Sequence, residues 1–456
     1  MGAAAGQKCT FSIMESLPVE LVRLVFEYCD LDSVKSLRLQ SRIFAAVGLD
    51  YLLSEKISVP SWKVERLHSI STHEQLKSRI ESVTLNFTEV DEYTARHASF
   101  FQHYAAEPEE RNDRLGQAWA RYYEADKLRK ASPTFDSRPS LVLESFRNLP
   151  HLTELEVTFT KCPFDIDVVD QVFKGLPSCR KMDREQTAKN LAVIATALKG
   201  TKLSSLTIDR FPLETLRLPD ERRRWFDSVS TSFAQLTTLN LTIDPSALKL
   251  PAQRFKAIKG LGSILRCATN VTHLSLAFHT YGMPKHKFII WFDTLLDGFT
   301  FGKLTDLKLE GISCDEDDLR EFLLRHSATL KRLRLGGRGL AKAFEGGLGG
   351  IHMCRGTFRG LFASLRNKLP QLERVHLEGD FECVGVERSA NEAYNFHGVT
   401  DDNWEAMEED EWRTRRAVAT SGRTTRDCLD FERYVLQGGR YPGSASPSPP
   451  AAVAAQ

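Results

Sequence analysis

The chain has 456 residues, 42% apolar and 27% charged, the balance of a folded protein with room for an extended domain plus a small one. Its 61 basic and 60 acidic residues leave a net charge of +1, so no global field draws in nucleic acid or acidic membrane. No run approaches the roughly eighteen apolar residues of a membrane-spanning helix, and MGAAAGQKCT lacks the apolar core of a secretory signal. Gly6 stands where a myristoylation motif asks for Ser or Thr. The nine cysteines are scattered without a CxxC pair, which suits reduced thiols in cytoplasm or nucleus rather than a disulfide frame or a zinc site.

Residues 1–12 are expected to be disordered. The next segment, LPVELVRLVFEYC from Leu17 to Cys29, is apolar at nine of its thirteen positions. Its charges Glu20, Arg23 and Glu27 recur at steps of three and four and share one narrow stripe. Pro18 suits the first turn of a helix, and Asp32 is the expected cap of a second helix carrying Val34 and Leu37. Leu39, Ile43, Phe44 and Val47 continue the apolar spacing, giving three short helices within 13–55. A unit of about forty residues cannot cover so much apolar surface alone, so another protein is expected to cover part of it.

These residues resemble the F-box, the adaptor module of Skp–cullin–F-box ubiquitin ligases. The matching positions are Leu17-Pro18, Glu20-Leu21, Leu24, Leu31, Val34, Leu37, Arg38, Leu39, Arg42 and Phe44. Gln40 and Ser41 stand where the family usually has a cysteine. The resemblance covers about a tenth of the chain. It implies docking on a Skp-type linker subunit through Leu17, Pro18, Leu21, Leu24, Val25, Leu31, Val34, Leu37 and Phe44, some of which must also serve the unit's own core.

Residues 56–146 read as a helical linker region. FFQHYAAEPEERNDRLGQAWARYYEADKLRK is charged, aromatic and helix-prone with a breaker at Pro108, and is expected to be a helical pair bridging the F-box-like unit and a run of repeats. From 147 to 380 one phrase returns: LTELEV, LSSLTI, LTTLNL, VTHLSL, LTDLKL, LKRLRL and LERVHL, with an outlying Ile80-Val83-Leu85. Each copy is a short strand, and stretches such as AKNLAVIATALKG and DEDDLREFLLRHSATL between them have helical periodicity. Strand and helix alternating at a repeated spacing predict parallel strands in a solenoid.

The phrase resembles leucine-rich repeats, though the asparagine or cysteine of that family is replaced by Thr160, Phe211, Asp244, His279, Ile312, Arg338 and Asp380. The expected fold is therefore α/β, a three-helix F-box followed by an irregular leucine-rich-repeat-like strand-helix solenoid; an ordinary α/β domain with a parallel sheet is the alternative. Residues 381–437 are expected to cap the stack, with Trp404 and Trp412 in an acidic-then-basic run, and 438–456 to form a disordered tail.

Signals for chemistry are weak. GGLGG at 346–350 and FGKL at 301–304 lack phosphate-loop spacing, and GxSxG and HExxH do not occur. Asp315 to Asp318 read as carboxylates that start a helix. No catalytic residue, cofactor or metal is assigned, and the chain is expected not to be an enzyme. The resemblances together imply a substrate-recognition adaptor whose F-box binds the linker subunit and whose repeats bind an unknown client protein. The alternatives are a non-ligase F-box scaffold and an unrelated α/β enzyme.

Overall fold

The computed structural model describes residues 17–52, 55–102, 108–216, 230–279, 289–337, 350–383, 393–396, 424–426 and 428–442. The expectations for 1–12, for Trp404 and Trp412 and for most of the glycine-rich loop fall outside these residues.

The N-terminal unit is three short helices, α1 (Val19–Glu27), α2 (Leu31–Arg38) and α3 (Arg42–Val47), followed by a 3-10 turn Gly48–Tyr51. Pro18 lies at the cap of α1 rather than inside its first turn, and its carbonyl accepts from the Leu21 and Val22 amides. The cap of α2 is Asp30, not Asp32. Extended backbone at Asp30 aims its carboxylate at the Ser33 amide, 2.7 Å away, and Asp32 instead pairs with Lys35. Ser41 caps α3 through the Phe44 amide. Val22, Phe26, Val34, Phe44 and Val47 form a small separate core, with the Phe26 ring stacked on Tyr51. A Cβ at Gly48 would lie 2.5 Å from Arg38 Cγ and 2.7 Å from the Phe26 ring, so this turn closes onto the core only with glycine there.

The body is a mixed α/β arrangement around a large sheet. Nine strands run side by side in chain order, all parallel: β1 (Lys56–Pro60), β2 (Ser82–Asn86), β4 (Glu154–Thr158), β6 (Ser205–Pro212), β7 (Thr238–Asp244), β8 (His273–Phe278), β9 (Asp306–Glu310), β11 (Arg332–Gly336) and β13 (Arg374–Cys383). The short strands β3 (Glu89–Val90) and β5 (Arg180–Lys181) pair with each other instead. Every LxxLxL copy falls into this sheet in the same phase. Leu155, Leu206, Leu239, Leu274, Leu307, Leu333 and Val375 form one registered row, and Val157, Ile208, Leu241, Leu276, Leu309, Leu335 and Leu377 the next. Both rows are buried in one continuous core. The intervening helices add Leu67 from α4 (Val64–Thr72), Phe146 from α7 (Pro139–Arg147), and Ile194, Leu261, Phe322 and Phe362. At roughly 2 kcal/mol per buried aliphatic side chain, these rows drive the stacking of unit on unit.

Two expectations for 56–146 change. β1 and β2 belong to the main sheet: KISVP lacks the LxxLxL phrase, yet Ile57 and Val59 alternate inward and register with Val83 and Leu85. The helical pair, α5 (Glu92–Gln102) and α6 (Pro108–Ala131), packs on α8 (Asp167–Gly175) through a second core of Ala95, Trp119, Tyr122, Phe164, Val169 and Phe173. Its hydrophobic partner is thus the long connection between the first two copies.

At the C-terminal end the sheet folds onto a second layer. Gly311, at φ +67 and with a would-be Cβ 2.3 Å from the Phe278 carbonyl oxygen, turns β9 into β10 (Ile312–Asp315). β10 pairs with β12 (Ile351–Arg355), which reaches the far half of β13; β14 (Ala393–Phe396) adds antiparallel and β15 (Thr424–Arg426) pairs with it. The helix Cys428–Gln437 covers this end with Phe431, Tyr434 and Val435, and Tyr441, expected in a disordered tail, is buried against Phe431 and Tyr434.

In place of an asparagine ladder, buried polar groups follow the last aliphatic of several strands. The Asp209 carboxylate accepts from the Thr158 and Thr160 hydroxyls and, at 2.7 Å, from the Phe159 amide. Arg184 and Arg210 both reach Asp244, at 2.9 and 3.0 Å. His279 meets Glu310 at 3.0 Å, and Arg334 pairs with Glu378. Among the described residues no helix is long and apolar enough to cross a membrane.

Candidate partner-binding site

Helix α1 carries three stripes rather than two. Val22, Phe26 and Cys29, at steps of four and three, face the core of the unit. Glu20, Arg23 and Glu27 form the charged stripe. Leu21, Leu24, Val25 and Tyr28, at i, i+3, i+4 and i+7, form a second apolar stripe that the unit covers only in part, at Val25. Leu21 and Leu24 are 47% and 49% exposed and Tyr28 86%. Leu31 at the start of α2, Leu39 at its end and Ile43 on α3 extend the exposed apolar surface.

The residues expected to contact a partner therefore divide. Pro18, Leu21, Leu24 and Leu31 are exposed, and Val25 is half-buried. Val34 and Phe44 lie inside the unit's core, and Leu17 and Leu37 pack partly against it. Sequence reasoning left Val19, Tyr28, Leu39 and Ile43 out of the contact set although all four are exposed. The signal was the stripe geometry: Tyr28 continues the i+3, i+4 series from Leu21. Arg38, one of the matched positions, donates from Nε to the Ala45 carbonyl at 3.1 Å and holds α2 against α3.

Asp50 makes an ion-pair contact between this unit and the body. Its carboxylate lies 3.6 Å from Arg23 of α1 and pairs with Arg79, which precedes β2.

A second surface is the open face of the sheet, where polar residues alternate with the buried rows. Across β4 to β7 it carries Glu154, Glu156, Ser205, Thr207, Thr238, Asn240 and Thr242. Across β8 to β13 it becomes ionic, with His273, Asp306, Arg332 and Arg374 in one row; in the next, Ser275, Lys308 and His376 are half-buried and Arg334 is buried.

Perturbed carboxylates elsewhere are tied into the scaffold. Burial pushes Asp318 up, against hydrogen bonds from the Phe292 and Asp293 amides at 2.5 and 3.0 Å. Burial likewise raises Asp209, opposed by its two threonine hydroxyls. Among the described residues no group of three His, Cys, Asp or Glu is placed to hold a metal ion. Neither a family model nor a curated protein matches this chain.

Proposed function

We propose that this chain is a substrate-recognition adaptor of a Skp–cullin–F-box ubiquitin ligase. Its N-terminal helices dock the Skp-type linker subunit, and the body, read as an irregular leucine-rich-repeat-like solenoid, holds a client protein. The observation that carries this reading is the second apolar stripe, with Leu21, Leu24 and Tyr28 exposed and Val25 half-buried, on a unit with a core of its own. Burying each half-exposed leucine against a partner gains about 1 kcal/mol. The chain-ordered parallel sheet supports the solenoid reading, since each strand-helix unit packs on its neighbours in sequence. Catalysis in such an assembly is by proximity: a client held beside a ubiquitin-charged enzyme reacts at raised effective concentration. On this reading the protein works in the cytoplasm or nucleus. Affinity capture of a purified Skp-type linker by the full chain tests it. The wild type retains the linker and Leu21→Asp/Leu24→Asp loses it while staying folded; retention by the variant would remove the adaptor reading.

A further inference from the structure

From Pro245 to Phe292 the chain has no Asp or Glu against seven Lys and Arg, a local excess that the net charge of +1 conceals. The main element of this stretch is the helix Pro251–Cys267, whose inner side adds Ile258, Leu261 and Leu265 to the core. Two of its cations serve the fold. Arg254 donates to the Leu248 carbonyl at 2.7 Å, and Arg266 to the Ser263 hydroxyl at 3.2 Å and the Leu295 carbonyl at 3.4 Å. Lys249, Lys256 and Lys259 do not. All three are exposed, and none makes an ion pair or hydrogen bond with another described residue. Lys256 and Lys259, three apart on one helix, repel each other. Neighbouring helices answer such cations within a turn: Lys189 pairs with Glu185 at 2.9 Å, and Arg320 with Asp317 at 2.6 Å. On the adjoining helix Phe292–Leu296, Asp293 lies beside Asp318 and Asp297 forms the C-terminal cap; neither is paired with these lysines.

Apolar side chains stand among the lysines. Leu250, Phe255 and Trp291 are 58%, 46% and 47% exposed, and Lys259 Nζ lies 4.7 Å from the centre of the Phe255 ring. Gly262 lets the helix close on the Leu295 carbonyl, where a Cβ would collide. Phe255, Lys259, Gly262 and Arg266 share that side of the helix, at i, i+4, i+7 and i+11. Trp291 precedes Leu295 by one turn, so Phe255 and Trp291 emerge along the same seam.

We propose that this face docks on an anionic membrane surface, with Lys249, Lys256 and Lys259 over lipid phosphates and Leu250, Phe255 and Trp291 entering the headgroup layer. Lysine ammonium groups are point charges on flexible stems, without the fixed fork that grips a single carboxylate. Here they alternate with apolar tips that a hydrated acidic peptide would leave in water. A layer of anionic headgroups over acyl chains takes both at once. Such docking sets where the chain works, whatever its N-terminal helices bind.

The test is co-sedimentation of the full chain with phosphatidylcholine vesicles containing about 30% phosphatidylserine, against phosphatidylcholine alone. The chain pellets with the anionic vesicles, stays in solution with the neutral ones, and is released as salt rises from about 100 to 500 mM. Lys256→Glu/Lys259→Glu lowers the partition coefficient by about tenfold or more, and Phe255→Ala/Trp291→Ala by about fivefold, both with unchanged circular dichroism. Equal sedimentation with both vesicles, no sedimentation with either, or wild-type partition by either variant would overturn the proposal. A labelled poly-glutamate peptide is titrated into the same preparations by fluorescence anisotropy. If it binds through these lysines while the anionic vesicles do not, the face belongs to an acidic protein and the membrane reading falls.

Discussion

Single side chains in this protein do one of two jobs that the same apolar residue type can fill. On α1, Val22 and Phe26 hold the unit together while Leu21 and Leu24, one and two positions away, face out. In the sheet, the charged pair Arg334–Glu378 is buried on the polar side of strands whose other side is aliphatic. Burial works to raise the Glu378 carboxyl, but His376 and Arg334 outweigh it and hold the group below its ordinary range. A depressed carboxylate contributes stability above its unfolded pKa, and that contribution is lost as pH falls through the folded value. Glu378→Gln should therefore cost about 3 kcal/mol at neutral pH, because it leaves Arg334 buried without its counter-charge. The deficit should shrink as pH falls below the ordinary glutamate range and through the lower folded value, where the wild-type carboxyl also protonates. Thermal melts at neutral and acid pH check this, and an equal deficit at both would contradict the assignment.

At the scale of elements, neighbouring units are joined by more than apolar rows. The helix Glu316–Arg325 opens with acidic residues, as its sequence leads one to expect, but two of them serve other helices. Asp318 accepts from the first amides of the helix Phe292–Leu296, and Glu316 accepts from the Thr357 amide at the start of the helix Phe358–Leu365, at 2.7 Å. Removing such an N-terminal acceptor costs about 1 kcal/mol. Asp318→Ala and Glu316→Ala should each lower stability by that amount in denaturant titration, and by a roughly additive sum together, since they act on different helices.

The strand phase was legible because LxxLxL puts every second residue inward and marks each repeat with three aliphatics. β1 was not, because KISVP has the alternation without the leading aliphatic. The cap of α2 was assigned to the wrong aspartate because two candidates lie two residues apart, and only backbone geometry selects Asp30. The paired charges beneath the open face were also hidden, since Arg334 and Glu378 lie 44 residues apart and meet only through register. In the N-terminal unit the apolar excess was plain, yet which residues face out and which pack inward required the helix phase.

The whole molecule joins a small helical unit, which touches the body through the Asp50–Arg79 ion pair, to a long chain-ordered sheet closed at the far end by the helix Cys428–Gln437. That closing helix buries Phe431 and Tyr434 over β13, and its Glu432 accepts from the Val375 amide at 2.7 Å. Truncation before residue 424 would bare this apolar edge. The truncated chain should associate in light scattering where the full chain does not. The central claim is that the second apolar stripe of α1 is a docking face for the Skp-type linker. Isothermal titration of the purified linker into the full chain tests it most directly. The account predicts saturable binding with a negative heat-capacity change, as apolar burial requires, and loss of at least about tenfold in affinity for Leu24→Arg with the melting temperature unchanged. Binding of the same strength by wild type and Leu24→Arg, or no binding by the wild type, would contradict it.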